Sequence, residues 1–192
     1  LIMIVRALSL AKDKNIFSHQ DLKPQNIFIR DLLKTHQLKS KTGIKYVAKV
    51  GDFGMANAFK VFKKNSGSRP YQAPEQYSTE LLSIPEKIDI FSLGVLVHEV
   101  IFNGLHPIGE ITNDVWPDAL DGKKKWSREN IWKSWARSNK NFNEQSFYKR
   151  ESKFIMELIN KSLNVDPKVR PDINEFEFSL WEELRNHSIQ CF

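Results

Sequence analysis

The sequence has almost no cysteine: among 192 residues there is one, Cys191, beside the C-terminus. A disulfide framework is thereby excluded, and a reducing intracellular setting, the cytoplasm, is the expectation. No apolar run approaches the roughly 20 residues that a membrane-spanning helix needs. The opening LIMIV is short and gives way at Arg6 and Ala7 to a helical pattern, so it does not read as a secretory leader. No zinc-ligand spacing occurs, and no basic stretch is interleaved with aromatics as in nucleic-acid-binding segments. The formal charge of +6 therefore reads as an ordinary solvated surface, with lysines scattered apart from Lys123, Lys124 and Lys125 and the group Lys60, Lys63 and Lys64. Internal repeats and low-complexity tracts are lacking too. What remains, at 41% hydrophobic and 27% charged, is a folding composition with room for one substantial core, either one domain or one lobe of something larger. Leu1 in place of a methionine adds the expectation that the sequence is cut from a longer protein.

Along the chain, Ile4, Leu8 and Ala11 share a helical stripe with Leu1, which predicts an amphipathic helix over residues 1–14. Short apolar runs at Ile27 to Ile29 and Lys45 to Val50 read as two strands of a hairpin, with a polar excursion at 31–44 between them. Residues 55–72 lack periodicity and hold Ser66, Gly67, Ser68 and Pro70; irregular segments of that length in compact domains are usually functional. "EKIDIFSLGVLVHEVIF", Glu86 to Phe102, is apolar on nearly every face, as a central buried helix would be. Further helices are expected at Ser152 to Leu163 and, after Pro167 and Pro171, at Ile173 to Leu184. Between them, Trp116, Trp126, Trp132 and Trp135 stand among charges in a stretch without a readable pattern.

The dense polar cluster is "FSHQDLKPQNIFI", residues 17–29. Asp21 and Asn26 are oxygen ligands five residues apart around the stiffening Pro24, with the cation of Lys23 between them. A carboxylate to accept a hydroxyl proton, a cation to neutralise phosphate and an amide oxygen for magnesium are the parts phosphoryl transfer needs. Downstream comes "DFG": Asp52 offers the hard anionic oxygen that magnesium prefers, and Gly54 is expected to let the chain leave the strand through angles other residues avoid. "GSRPYQAPE" follows at 67–75.

These motifs, in this order, resemble the large C-terminal lobe of a eukaryotic-type protein kinase, of the serine/threonine type, over nearly the whole chain to "NVDPKVRPDINEF". The resemblance implies an α+β protein kinase-like fold, a mostly helical lobe with a small β-hairpin. It implies a catalytic loop at 19–26, the DFG turn at 52–54, an activation segment at 52–75, a central helix at about 86–103 and a helical subdomain at about 105–185. The implied reaction transfers the ATP γ-phosphate to a serine or threonine of a protein substrate. Asp21 would orient the acceptor hydroxyl, Lys23 would contact the transferred phosphate, and Asn26 and Asp52 would hold Mg2+. Phe28, where the family usually has leucine, would form the floor under adenine, and Ser68 would shape the substrate pocket. His19 and Asp89 would brace the loop through backbone hydrogen bonds, and Glu75 with Arg170 would form a buried ion pair.

The chain departs from the pattern in two places. Gln20 stands where many kinases have arginine, and a neutral amide cannot fork onto a phosphate. None of the eight glycines builds G-x-G-x-x-G and no "VAIK"-like lysine strand precedes the loop, so the small N-terminal lobe is expected to be absent from this sequence and the fragment inactive alone. A pseudokinase scaffold and a small-molecule phosphotransferase are the alternative readings; the intact Asp21, Lys23, Asn26 and Asp52 weigh against the first, and "APE" with its preceding segment against the second.

Overall fold

The structure, a computed structural model, describes residues 1–32, 34, 45–58, 67–77, 84–108 and 153–190, the last five as backbone only. The tryptophan-rich stretch beyond Ile108, most of the excursion at 31–44, both lysine groups, Ser66 and Cys191 lie outside the described residues. Four helices and one two-stranded antiparallel sheet are described: α1 (Ile2–Asp13), β1 (Ile27–Asp31), β2 (Tyr46–Val50), α2 (Glu86–Ile101), α3 (Lys153–Ser162) and α4 (Ile173–Gln190). Short 3-10 turns at Pro24–Asn26, Phe53–Met55, Arg69–Tyr71 and Pro74–Tyr77 carry the chain between them.

Helix α2 is the axis of the molecule. Every residue from Ile88 to Glu99 is buried, which its nearly unbroken apolar sequence requires. Buried polar positions are costly unless bonded, and three of them, Asp89, Ser92 and Glu99, each bond a segment of the candidate site described below. On the opposite side α2 crosses α3 closely at Gly94, where a Cβ would come within 2.8 Å of the Ser162 Cβ. Only a residue without a side chain lets the two backbones approach so far.

Helix α1 buries Ile4, Val5 and Leu8 and packs on α4 and β2. The hairpin pairs Ile27 with Val50 and Asp31 with Tyr46 in simple antiparallel register. Its inner face, Ile27, Ala48 and Val50, rests on the core, while Phe28, Ile29 and Tyr46 stay mostly exposed. Helix α4 begins with a capping box: Asp172 accepts the N–H groups of Asn174 and Glu175, and the Glu175 carboxylate accepts the N–H of Asp172. The apolar periodicity predicts its end near Leu184; the helix runs on to Gln190, because no glycine or proline in "RNHSIQ" stops it.

Candidate active site

The residues leading into the site bend where α1 ends. Asn57 ties the two sides of that bend together: its Oδ1 accepts the N–H of Phe17 at 2.9 Å, and its Nδ2 donates to the carbonyl of Asn15 at 2.8 Å. Asn57 itself sits at φ 55°, a left-handed position that asparagine tolerates better than most residues. The loop that follows is clamped from beneath by Asp89 of α2. The Asp89 carboxylate accepts the N–H of His19 at 2.6 Å, the N–H of Gln20 at 3.0 Å and the Ser18 hydroxyl at 3.3 Å. Burial pushes the Asp89 carboxyl up, opposed by these donors.

His19 is the second clamp. Its Nδ1 accepts the N–H of Asp21 at 3.3 Å, so its Nε2 carries the proton and donates to the Gly51 carbonyl at 2.9 Å. The Gly51 N–H in turn donates to the Asn26 carbonyl at 2.9 Å, and Phe53 sets its ring edge-on to His19 with centroids 4.7 Å apart. The chain entering the DFG turn is thus fastened to the loop through both backbone groups of Gly51, the residue before Asp52. Leu22, completely buried, drives into the core and leaves Asp21 and Lys23 on either side of it facing the site.

Four of the residues singled out from sequence meet directly. Asp21 Oδ2 accepts the Lys23 ammonium at 2.8 Å and the Asn26 amide at 3.2 Å, and its Oδ1 accepts the Ser68 N–H at 2.7 Å. Lys23 donates further to the Ser68 hydroxyl at 2.7 Å. Burial works to raise the Asp21 pKa, but the hydrogen bonds from Lys23 and Ser68 and the Lys23 charge outweigh it and hold the carboxyl below its ordinary value. The group is therefore an ionised acceptor at neutral pH and a weak base.

Asn26 donates its amide to Asp21, to the backbone carbonyl at 2.8 Å as well as the carboxylate, which leaves Oδ1 as the atom able to meet a cation. Among the described residues no hydrogen bond or ion pair joins Asp52 to Asp21, Lys23 or Asn26; its carboxylate is exposed. The expected role of Gly54 in the turn needs correcting. Asp52 itself, at φ 58° and ψ 65°, takes the left-handed step out of the strand, whereas Gly54 lies within the 3-10 turn and is not among the positive-φ glycines. Phe28 projects from β1 with its ring over Gly51 and is 57% exposed.

Away from the loop, Arg170 is fully buried and meets Glu75 with two parallel bonds of 2.6 and 2.7 Å. Two polar contacts escaped the sequence reading. Tyr71 donates to the Glu99 carboxylate at 3.0 Å, and Gln72 donates to the Gly67 carbonyl at 2.9 Å. The sequence shows only that a tyrosine and a glutamine stand directly before "APE", with nothing to name their partners.

Compared with known families, residues 1–182 match the protein kinase domain. The chain is 27% identical over 183 residues to the probable serine/threonine-protein kinase nek2 of Dictyostelium discoideum, covering 91% of this chain and 35% of that protein. It is 33% identical over 101 residues to the serine/threonine-protein kinase chk-2 of Caenorhabditis elegans, covering 52% of this chain and 19% of that protein. It is 32% identical over 102 residues to the serine/threonine-protein kinase ULK3 of Homo sapiens, again 52% of this chain and 19% of that protein. The chain thus spans 19% to 35% of the length of these relatives. A match running through the loop, the DFG turn and the Glu75–Arg170 segment establishes that the chain belongs to the protein kinase domain family, of the eukaryotic serine/threonine type.

Proposed function

We propose that this chain is the large lobe of a protein kinase that transfers the γ-phosphate of ATP to a serine or threonine hydroxyl of a protein substrate. The observation that carries the reading is the ionised Asp21 carboxylate held between the Lys23 ammonium and the Ser68 N–H. An acceptor hydroxyl presented there would donate to Asp21, which orients the attacking oxygen and takes its proton late, as a weak base can. Lys23, 2.8 Å from that carboxylate, brings a fixed positive charge to the place where phosphate charge must be neutralised. Two unit charges about 4 Å apart interact by roughly 4 kcal/mol at an effective dielectric near 20, ample to change a rate by orders of magnitude.

Asn26 Oδ1 and the Asp52 carboxylate are hard oxygen donors that fit magnesium. The ion, when bound, supplies charge neutralisation on the nucleotide phosphates. Phe28, exposed on the hairpin, suits the floor under adenine, with the covering surface supplied by a small lobe carrying the glycine-rich loop and its lysine. His19, Asp89 and the Glu75–Arg170 pair act as bracing for that centre, and Ser68 shapes the acceptor pocket. The acceptor preference rests on Lys23 and Ser68. The two-lobed protein, assayed with magnesium and ATP on otherwise identical serine, threonine and tyrosine peptides, is expected to label the first two and leave tyrosine at background. Tyrosine labelled as fast as serine, or transfer to sugars but not to peptides, would overturn the assignment.

A further inference from the structure

Between the Asp21 carboxylate and the core lies a single peptide unit whose orientation decides whether the carboxylate keeps its third donor. The carbonyl of Gly67 and the N–H of Ser68 belong to the same planar amide and point in opposite directions. The Ser68 N–H reaches Asp21 Oδ1 at 2.7 Å, while on the far side the Gly67 carbonyl receives the side-chain amide of Gln72 at 2.9 Å. The plane is pinned at both ends. Gly67 adopts φ 111°, open to glycine and rarely to any other residue, and a Cβ there would run into the Gln20 carbonyl oxygen. Gln72 is 7% exposed, and its own N–H is bonded to the Arg69 carbonyl at 3.2 Å, so its side chain starts from a fixed turn.

We propose that Gln72 is a positioning residue of the phosphotransfer site: by donating to the Gly67 carbonyl it holds the Gly67–Ser68 amide in the orientation that turns the Ser68 N–H onto Asp21. The chemistry asks for such a device. An amide plane held at one end can rotate about its flanking bonds, and Gly67, lacking a Cβ, offers little resistance to that rotation. A second hydrogen bond, donated to the carbonyl end, removes the freedom, and a neutral amide does so without competing for the carboxylate. The loop beside the acceptor is then ordered by a hydrogen bond internal to residues 67–72, in a chain whose residue 20 is glutamine rather than a phosphate-binding arginine. The role in catalysis rests on the function proposed above; the role in fixing the amide does not.

The test uses the complete two-lobed protein and Gln72→Met, which keeps the length of the side chain and removes the donor. Amide hydrogen exchange at Ser68 is expected to quicken about tenfold, the scale set by losing one net hydrogen bond. The kcat/KM for a serine peptide is expected to fall by a similar factor, with the KM for ATP and the melting temperature unmoved. Should Gln72→Met fail to fold, Gln72→Glu, which keeps size and polarity but at neutral pH cannot donate, is read the same way. Unchanged exchange at Ser68 overturns the proposal, as does a loss of turnover that matches only a loss of folded protein. A wild type without any turnover would count against the phosphotransfer reading instead, and the exchange measurement would still decide whether Gln72 fixes the amide.

Discussion

Arg170 shows what one side chain can hold together. Its guanidinium has five N–H groups, and all are engaged: Nε on the Asn164 carbonyl, Nη1 on Glu75 and the Lys87 carbonyl, Nη2 on Glu75 and the Val165 carbonyl. Its charge also lies 5.0 Å from the centre of the Phe91 ring, in the core. Arg170→Ala would leave Glu75 without its partner and remove the bonds donated to three carbonyls, at a cost of roughly 3–5 kcal/mol. Arg170→Lys is expected to lose nearly as much, since one ammonium cannot reproduce the fork. Chemical denaturation of both variants checks this, and an unchanged midpoint for either would contradict it. At this scale the meeting of Asp21, Lys23, Asn26 and Ser68 was legible because the family's motifs restrict residue type and local spacing together. Gln72, Asn57 and the Tyr71–Glu99 contact were not, since their partners are brought near by the fold and polar residues in an irregular segment carry no period. Gly54 was misplaced for a related reason: the motif shows that one residue must take an unusual angle, not which one.

The elements were easier to read than their joints. A fully apolar run gave α2, and the prolines at 167 and 171 marked the start of α4, whose capping box the structure adds; these signals lie within a few residues of sequence. The apolar runs gave the hairpin, though not which of their side chains are covered: Phe28 and Ile29 are exposed. The joint between α2 and the loop after it depends on two buried histidines. His98 donates from Nδ1 to the Leu105 carbonyl at 2.7 Å. His106 donates from Nε2 to the Pro70 carbonyl at 2.9 Å while its Nδ1 accepts the Ile108 N–H at 3.2 Å. Burial lowers each to about 4, so both stay neutral in the folded state while the unfolded chain takes up protons near its ordinary value of about 6.5. Below that value the unfolded state binds more protons, so stability falls as pH drops from about 6.5 towards 4, by on the order of 2 kcal/mol per histidine at pH 5. Urea midpoints at pH 7 and pH 5 measure the effect, and the His98→Gln, His106→Gln double variant is expected to flatten it. An equally steep decline in the double variant would locate the titration elsewhere.

At the scale of the molecule, one buried helix supplies the organising contacts. Asp89 near the start of α2 holds the loop of His19 and Gln20, Ser92 one turn on donates its hydroxyl to the Tyr71 carbonyl, and Glu99 near its end accepts from the Tyr71 hydroxyl. The two segments that carry Asp21 and Ser68 are therefore referenced to the same rigid axis, which is how residues 47 apart in sequence meet at 2.7 Å. No helix among the described residues is long and apolar enough to cross a membrane. The claim on which this account rests is that the Asp21 carboxylate orients the acceptor hydroxyl. Its most direct test is the single-turnover rate of phosphate transfer from magnesium ATP to a serine peptide by the complete protein, wild type beside Asp21→Asn. Loss of a positioned proton acceptor predicts a rate reduced by about 10² to 10⁴ with nucleotide affinity retained. Equal rates for the two proteins would contradict it.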